Sequence, residues 1–521
     1  MMTHLLVSLR RLVRGQDAKR ARVAQRMLAE DLFRQAHADR TRFAQVMACE
    51  PGEGVVVLGR GRRLDESPFW SGQLIEEFLG VHSWITGATG SGKSFFALSC
   101  LLQVLRSGRH PVVIVDMKSE LSDLLIETVI PKLINTDGGE KLLQRLRIIR
   151  PFGRDLPMLR VTEAEAGVPR SIQAFNLASA LEEALSDELG SRMSRVFLRL
   201  SSLAIELGLP LTVIQRWLED PALFTRDATR SKDTSLREYA TSGFARESRP
   251  AIDALLARLD SFLFLDEVKL SLSAPRCVSF ADALESGVTI VDLGSPPAGA
   301  ERAQRFWAGI LTGRITRAIL SRPVTPETPR TWVIFEEVQE ALGKNQAEQF
   351  CRLLTLARHK RVAVTLINQQ AAQLGSADPM LVKVLRTNAS IECAFRCNLE
   401  DAKPLVQAMP LPPDAQRLEA TRQSMVQELT QLPDREFLLW MKRMPFGAQH
   451  VRSPRLDAEE LRRCAAEVSP EMRAAIRRGT VSMDRDALEA SLVAAEDSDQ
   501  NDIAMAPRLT GTPKRTRSRL G

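Results

Sequence analysis

A glycine-rich segment that ends in a lysine and a serine is the part of this sequence best suited to chemistry. It reads Gly87-Ala88-Thr89-Gly90-Ser91-Gly92-Lys93-Ser94, which is the spacing of a phosphate-binding loop. Glycines let the backbone wind tightly, so that successive N–H groups point at phosphate oxygens. Lys93 supplies a point charge, and the Ser94 hydroxyl is suited to bind Mg²⁺.

The residues around this segment predict the strand and the helix that a phosphate-binding loop requires. His82–Thr86 is a short apolar run typical of a strand, and Phe95–Leu105 has the apolar residues of a buried helix. The loop thus ends at a helix N-terminus, where the dipole favours negative charge. The sequence predicts that residues 87–95, Phe95 included, bind ATP with Mg²⁺; the alternative is a chance match in a glycine-containing turn.

Two adjacent glutamates end another apolar run. Residues 331–335 predict a buried strand, and Glu336 and Glu337 follow it directly. Glu336 is the predicted Mg²⁺ ligand beside Ser94, directly or through water, and Glu337 is predicted to polarise the attacking water. The alternative is a pair of solvated acids that open the following helix, where they favour its dipole.

An amide group ends the next predicted strand. Residues 361–367 form an apolar run, and Gln369 lies just beyond it. A glutamine at the end of a strand beside the phosphate-binding loop can contact the γ-phosphate or its attacking water. Such a contact is lost on hydrolysis and can couple chemistry to movement. The alternative for Gln369 is a surface amide without a role in hydrolysis.

The length and composition of the chain limit the number of domains, the presence of membrane spans and the compartment that we expect. A chain of 521 residues is too long for one core, which gives a prior of about three to four domains. No apolar run is long enough to cross a bilayer, and the N-terminal apolar residues lack a cleavage signal. The seven cysteines are scattered without a paired CxxC unit, which favours a reducing compartment. These features predict a soluble, cytoplasmic protein.

The charge of the chain is compatible with a polyanionic partner. The formal net charge is +7, and basic residues crowd the segments 10–26 and 514–519. Basic segments of this kind would contact a nucleic acid mainly at its phosphates. The alternative for each segment is a solvated face or a disordered end.

The order of apolar runs predicts an α/β fold, a RecA-like P-loop NTPase with a mostly parallel sheet flanked by helices. Long periodic helices interrupt the runs that predict strands, so one sheet with an all-α insertion is the economical architecture. The predicted regions are a basic helical region over 1–50, a first part of the ATPase core over 51–165, the all-α insertion over 166–285, a second part of the core over 286–410, a strand and helix region over 411–496, and a disordered basic tail over 497–521.

Together these residues resemble the HerA–FtsK superfamily of ring-forming, DNA-translocating ATPases, which includes the TraG/TraD-type conjugative coupling proteins. The resemblance covers roughly residues 50–450. Much of the superfamily has Asp where this chain has Glu336, although the HerA branch has a similar Glu pair. The residues that carry the resemblance are His82, the loop 89–94, Val-Asp-Met-Lys-Ser-Glu at 115–120, Ala-Phe-Asn-Leu at 174–177, Glu336, Glu337, Gln369 and Asn388.

The resemblance implies a shared active site and a ring, most simply a hexamer. In such rings ATP lies between two subunits, and the neighbour contributes an arginine finger. The matching position here is Arg358, eleven residues before Gln369, with Lys360 and Arg361 as rivals. An arginine delivered in this way stabilises the charge that develops on the γ-phosphate. The alternative is a basic cluster at a helix end.

The resemblance leaves three hypotheses for the function. The first is an ATP-driven motor that moves duplex or single-stranded DNA through the ring. The second is a coupling ATPase of conjugation or type IV secretion that works with a relaxase or a secretion channel and lies peripheral to the inner membrane through a partner. The third is a nucleotide-dependent switch that assembles a nuclease complex.

Overall fold

The computed structural model describes residues 54–62, 68–135, 139–165, 167–185, 189–294, 296–340, 344–410, 418–442, 447–454, 456–490 and 492. They divide into two compact units. The core unit comprises the described residues of Met1–Leu146, Phe280–Gly294 and Thr312–Arg477. The helical unit comprises those of Arg147–Ser279, Ser295–Leu311 and Arg478–Gly521. The regions predicted over 1–50 and 497–521 lie outside the described residues.

Eleven strands form the main sheet, in the order β2-β1-β12-β11-β10-β3-β9-β8-β4-β7-β5. Its six strands from β10 to β7 are parallel, and the four on the β2 side pair in antiparallel fashion. A second, two-stranded sheet pairs β6 with β13. The strands are β1 Val55–Arg62, β2 Pro68–Leu74, β3 His82–Thr86, β4 Val112–Asp116, β5 Leu146–Ile149, β6 Asp155–Pro157, β7 Val288–Asp292, β8 Thr331–Glu336, β9 Val362–Asn368, β10 Ala389–Phe395, β11 Glu436–Met441, β12 Gln449–Arg452 and β13 Ser482–Asp484.

Helices cover the sheet and make up most of the helical unit. None of those described here is both long and apolar enough to cross a bilayer. The α-helices are α1 Ile75–Phe78, α2 Lys93–Arg106, α3 Glu120–Leu124, α4 Ile130–Ile134, α5 Gly139–Gln144, α6 Arg170–Leu185, α7 Ser191–Leu207, α8 Val213–Glu219, α9 Pro221–Ala228, α10 Thr234–Glu238, α11 Arg249–Leu263, α12 Asp266–Ser273, α13 Phe280–Glu285, α14 Glu301–Ser321, α15 Lys344–Leu356, α16 Ala371–Ala377, α17 Pro379–Asn388, α18 Leu399–Ala408, α19 Leu418–Gln431, α20 Ala458–Glu467 and α21 Pro470–Arg478. Single turns of π-helix lie at Leu125–Val129 and Tyr239–Gly243, and 3₁₀ turns lie at Phe244–Arg246, Val338–Glu340 and Ala357–Lys360.

The parallel strands have the composition of a sheet that is covered on both faces. Every residue of β3, β4, β7, β8 and β9 is buried, so these strands are continuous apolar runs rather than alternating ones. Strand β4 begins at Val112, directly after Pro111, which has no N–H to donate to the ladder.

Aromatic packing fixes helix α2, which begins at Lys93, against the sheet. The ring of Phe96 lies 5.8 Å from that of Phe395 in β10 and 4.8 Å from that of Phe437 in β11. Those two strand residues stack on each other at 4.7 Å. Large buried rings of this kind contribute packing energy beyond their buried area. The start of α2 is therefore held rigidly at the edge where the parallel strands end.

The helical unit has its own aromatic cluster. Phe224 contacts the rings of Trp217 and Phe244 at 5.5 Å and 5.2 Å, and the indole N–H of Trp217 donates to Asp227 at 2.9 Å. The described residues of the range 166–285 are helices and connecting turns, apart from Cys277, which forms a single bridge with Leu159. Strands β6 and β13 pair in this same unit.

One carboxyl group is buried in the middle of the main sheet. Glu392 lies in β10, is 5% exposed, and its Oε1 has no hydrogen-bond partner among the described residues. Burial raises the pKa of Glu392 to about 7, although the charges of Lys442 and Arg386 act in the opposite direction. Because the folded-state pKa exceeds the ordinary value of 4.5, ionisation of Glu392 opposes folding.

Ionisation of Glu392 should therefore lower the free energy of unfolding of the wild type as the pH rises from about 4.5 to 7. Above that range the contribution of Glu392 should stay constant. Glu392→Gln should remove this dependence and raise the free energy of unfolding at pH 8 by about 1–3 kcal/mol. Thermal unfolding from pH 5 to pH 8 measures both effects. Glu400→Gln, at an exposed position of α18, should keep the pH dependence of the wild type. An unchanged profile in Glu392→Gln would contradict the expectation.

Candidate nucleotide-hydrolysis site

The glycine-rich loop joins β3 to α2 as the sequence predicts. Gly87, Gly90 and Gly92 all have positive φ, at 150°, 75° and 106°. A Cβ at Gly87 would lie 2.5 Å from the Phe395 side chain, and one at Gly92 would lie 2.9 Å from the Arg435 backbone. Only glycine fits these two positions, because both the backbone angles and the surrounding atoms exclude a side chain.

Lys93 reaches back across the loop. Its side chain is 6% exposed, and Nζ donates to the carbonyl oxygens of Gly87 at 2.7 Å and Ala88 at 3.0 Å. Burial lowers the pKa of Lys93, whereas the nearby charges of Glu337 and Glu336 raise it. The ammonium group is thus held inside the turn of the loop, where a phosphate group would meet it.

Ser94 and Glu336 come together although 242 residues separate them. The Ser94 hydroxyl donates to Glu336 Oε1 at 3.3 Å, while Oε2 has no hydrogen-bond partner among the described residues. Glu336 is 4% exposed, and burial, followed by the charge of Asp116, raises the pKa of Glu336 well above its ordinary value. A hydroxyl beside a carboxylate with a free oxygen is the donor set that suits Mg²⁺, so these two residues fit that ion.

Glu337 ends the acid pair in a strained backbone conformation. Its φ is 54°, a left-handed value that is uncommon for residues other than glycine, and its N–H donates to the Ile367 carbonyl at 2.8 Å. The side chain is 3% exposed. Lys118 Nζ lies 3.6 Å from Oε1, and the Gln339 amide donates to Oε2 at 2.5 Å. Two neighbours therefore fix the direction of this carboxylate.

Two further aspartates lie at the same edge of the sheet. Asp116 ends β4 in register with Glu336 of β8 on one side and with Asp292 of β7 on the other. Its carboxylate accepts the N–H groups of Lys118 and Ser122 at 2.9 Å and 2.8 Å. Burial raises the pKa of Asp116 to about 6, and the Asp292 charge adds to the shift. Sequence reasoning gave neither aspartate a role, although each ends an apolar run as Glu336 does.

Gln369, which the sequence predicts to contact the γ-phosphate or its attacking water, also follows a strand that ends at this edge. Strand β9 pairs in parallel with β3, so that Asn368 is in register with Thr86 just before the loop. Gln369 comes next and is half-buried. Asn368 itself accepts the indole N–H of Trp84 at 2.7 Å and donates to the Gln370 carbonyl at 2.6 Å. This network fixes the backbone from which Gln369 projects.

Arg358 is not brought to the loop of its own chain. It is exposed in the 3₁₀ turn Ala357–Lys360, which comes before β9. The loop lies beyond the other end of that strand, whose 7 residues span roughly 20 Å at about 3.3 Å each. His82, at the start of β3, accepts the Val364 N–H at 2.9 Å; burial and the charge of Arg358 lower the pKa of His82 to about 4.

Arg435 is a site residue that sequence reasoning missed. Its guanidinium lies 4.7 Å from the centre of the Phe95 ring, and its N–H donates to the Ser91 carbonyl at 2.8 Å. Similarly, the Ala88 N–H donates to the Arg396 carbonyl at 2.7 Å. No local pattern could reveal these contacts, because they join the loop to segments more than 300 residues further along the chain.

The matching family model is "Helicase HerA, central domain", over residues 74–315. No curated protein sequence matches the chain. Among solved structures, the bacterial conjugative coupling protein TrwBdeltaN70 is 15% identical, with 80% of this chain and 91% of that chain covered and a TM-score of 0.50. TrwB with a non-hydrolysable ATP analogue is 16% identical, with 80% and 92% covered and a TM-score of 0.52.

VirB4 of Thermoanaerobacter pseudethanolicus is similar to the same extent. It is 15% identical, with 79% of this chain and 98% of that chain covered and a TM-score of 0.53. At these identities the likeness shows the fold, and it confirms the predicted α/β P-loop NTPase architecture with its mostly parallel sheet. The HerA model over residues 74–315 and this fold agree with the predicted resemblance of the chain to the HerA–FtsK-type P-loop ATPases.

Proposed function

We propose that the protein is a ring-forming motor that hydrolyses ATP with Mg²⁺ and moves DNA. The observation that carries this proposal is the meeting of Lys93, Ser94, Glu336 and Glu337 at the end of one parallel sheet. The TrwB structures of similar fold are complexes with an ATP analogue and with ADP and Mg²⁺, which supports these ligands for the present chain.

Each residue of the site has a distinct task in this proposal. The backbone N–H groups of residues 87–95 and the Lys93 ammonium bind the phosphates. Ser94 and Glu336 would hold Mg²⁺, which would offset the negative charge of the phosphates. Glu337 orients the attacking water and draws on its proton. Lys118 and Gln339 are positioning residues, because they contact the Glu337 carboxylate from two sides.

The arginine finger is proposed to come from a neighbouring subunit. Arg358 is exposed and lies before β9, whereas its own loop lies after the end of β3. Such a residue is suited to reach the site of the next subunit in a head-to-tail ring. Gln369, beside the loop, would then report hydrolysis to the parts of the ring that contact DNA. We propose a hexamer for this ring.

Mixing two inactive variants tests whether the active site is shared. We expect Arg358→Ala and Lys93→Ala each to lose ATP hydrolysis, by about 10³-fold for the arginine finger. Equal mixtures should recover activity, because about one quarter of the interfaces would carry both intact residues if subunits exchange in a head-to-tail ring. The measurement is phosphate release after mixing.

Arg352→Ala, at an exposed position of α15, is the matched control and should hydrolyse ATP like the wild type. An Arg358→Ala variant with full activity would exclude Arg358 as the finger. Mixtures that stay inactive although the variants assemble together would contradict the shared site.

The net charge supports DNA as the substrate of movement. The chain has 71 Lys and Arg residues against 64 Asp and Glu residues. We propose contacts mainly with phosphates, so that binding is tolerant of sequence and weakens with salt. These expectations hold for duplex and for single strands alike.

A second candidate function is delivery of DNA to a secretion channel. The fold similarity to the conjugative coupling protein TrwB and to VirB4 favours it. The helical unit would then contact a partner such as a relaxase, and it exposes the large side chain of Phe264, which is 87% accessible. Exposed aromatic residues commonly anchor protein interfaces.

The substitution Phe264→Ser separates this function from the motor activity. We expect it to lower DNA transfer between cells and to leave ATP hydrolysis unchanged, since Phe264 lies in a turn of the helical unit. Val324→Ser, at a partly exposed position of the core unit, is the control and should leave transfer unchanged. Equal transfer by Phe264→Ser and the wild type would exclude this contact.

A further inference from the structure

The 3₁₀ turn Ala357–Lys360, which we call the finger turn because it carries Arg358, is joined to one buried arginine. Arg322 directly follows the end of α14 and is 3% exposed. Its Nη1 donates to the Lys360 carbonyl at 3.1 Å, and Lys360 Nζ donates in return to the Arg322 carbonyl at 2.9 Å. This reciprocal pair of hydrogen bonds connects the end of α14 to the finger turn.

Other N–H groups of Arg322 point in a second direction. Nε donates to Glu285 Oε1 at 2.8 Å, and Nη2 donates to the Leu284 carbonyl at 2.7 Å. Both acceptors lie at the end of α13. A buried guanidinium is costly unless its N–H groups are paired, so these contacts fix the direction of the group. Arg322 thus ties the finger turn to two helices of the core unit.

The residue after the finger turn is also held by its own chain. Arg361 has a left-handed φ of 57°, which is uncommon for residues other than glycine. Its Nη1 donates to the carbonyl oxygens of Thr325, Pro326 and Thr328, at 3.1 Å, 2.6 Å and 2.8 Å. Strained backbone of this kind persists only where the surrounding contacts enforce it. The finger turn is therefore fixed at its last residue and at the residue that follows.

Arg358 differs from these neighbours. Its side chain is exposed, and its guanidinium has no hydrogen bond or ion pair with any residue in the described part of the chain. The cationic groups of Lys360 and Arg361 are occupied by carbonyl oxygens of their own subunit. Of these three basic residues, Arg358 is the one whose charge is available to a neighbouring subunit.

We propose that Arg322 is the positioning residue of the arginine finger. By binding the Lys360 carbonyl, it fixes the turn from which Arg358 extends towards the ATP of the next subunit. This inference rests on the proposed function, in which Arg358 acts in the neighbouring site. Displacement of a catalytic group by about 1 Å can lower a rate about 100-fold. Because Arg322 acts through the finger turn, the phosphate-binding loop of its own subunit does not depend on it.

Steady-state kinetics give the first test. We expect Arg322→Gln to lower kcat for ATP hydrolysis about 100-fold and to leave KM for ATP within about twofold, because the loop of the variant is intact. Arg322→Lys should recover only part of the rate, since an ammonium group lacks the planar geometry of the guanidinium. Arg302→Gln, at an exposed position of the same helix α14, is the matched control and should hydrolyse ATP like the wild type.

Glu285→Ala is a milder variant that keeps the test valid if Arg322→Gln fails to fold. The Glu285 side chain is 49% exposed, so its removal leaves the core packing in place. Arg322 then loses one of the acceptors that fix its direction. We expect a smaller fall in kcat, again without a change in KM. Thermal unfolding of each variant shows whether it is folded.

Subunit mixing separates a positioning role from a general loss of structure. A subunit with Arg322→Gln keeps an intact loop, whereas a subunit with Lys93→Ala keeps an intact finger turn. Equal mixtures of these two variants should recover as much hydrolysis as mixtures of Arg358→Ala with Lys93→Ala. Mixtures of Arg322→Gln with Arg358→Ala should not recover, because neither subunit supplies a correctly placed finger. Glu285→Ala should follow the same pattern as Arg322→Gln.

The reference mixture distinguishes the two ways in which the proposals can fail. If Arg358→Ala and Lys93→Ala assemble together but do not recover hydrolysis, the shared site is wrong and the role of Arg322 is lost with it. If they recover, but Arg322→Gln recovers with Arg358→Ala or stays inactive with Lys93→Ala, the inference about Arg322 alone is overturned. A folded Arg322→Gln variant with the kcat of the wild type would overturn it as well.

Discussion

Lys93→Ala is expected to reduce ATP hydrolysis by about 100-fold or more, the loss that follows removal of one fixed donor from a transition state. In the wild type, the Lys93 ammonium group lies inside the turn of the loop, with Nζ 2.7 Å from the Gly87 carbonyl oxygen. No other described lysine takes its place there. Nucleotide affinity should fall as well, because Lys93 contacts phosphate in both the ground state and the transition state. Phosphate release and nucleotide binding are the measurements.

Lys383→Ala is the matched control for this prediction, since Lys383 is exposed on α17. Thermal unfolding of both variants separates loss of chemistry from loss of structure. If folded Lys93→Ala hydrolysed ATP at the rate of the wild type, the loop would not be the hydrolysis site.

Glu337→Gln is expected to slow hydrolysis by about 10²–10⁴-fold while ATP binding is retained. The amide keeps the size of the side chain and a partner for Gln339, but it cannot accept a proton from water. The charge beside Lys118 is lost at the same time. Single-turnover hydrolysis and equilibrium nucleotide binding distinguish the two effects.

Glu340→Gln provides a close control for Glu337→Gln. Glu340 also pairs with Lys118, at 3.5 Å, but its side chain is largely exposed. We therefore expect near-normal hydrolysis in Glu340→Gln. Equal losses in the two variants would indicate that the charge of Lys118, rather than the Glu337 carboxylate, determines the rate. Normal turnover in Glu337→Gln would exclude Glu337 as the residue that activates the attacking water.

The parts of the site that could be predicted from the sequence are those formed by residues that are consecutive in the chain. The loop 87–94 needs glycine for its backbone angles, and the Glu336–Glu337 pair follows an apolar run that only a buried strand explains. Continuous apolar runs likewise identify the parallel strands, because such strands are covered on both faces. Local physics is sufficient in these cases.

Other parts of the site depend on contacts between distant segments. Asp116 and Asp292 become one group with Glu336 only through strand register. Arg435 contacts Phe95 from a turn 340 residues later in the chain, and no sequence pattern around Arg435 predicts this contact. The roles of Arg358 and Gln369 stay predictions, since their chemistry depends on a neighbouring subunit and on ATP.

The proposed motor couples ATP hydrolysis at the loop to DNA. The most direct measurement is the steady-state rate of ATP hydrolysis by the wild type and Lys93→Ala, with and without duplex and single-stranded DNA, at low and at physiological salt. We expect strong stimulation by DNA that weakens with salt and disappears in Lys93→Ala. Hydrolysis that requires Lys93 but is the same with and without DNA would contradict the motor and favour a protein-coupled switch.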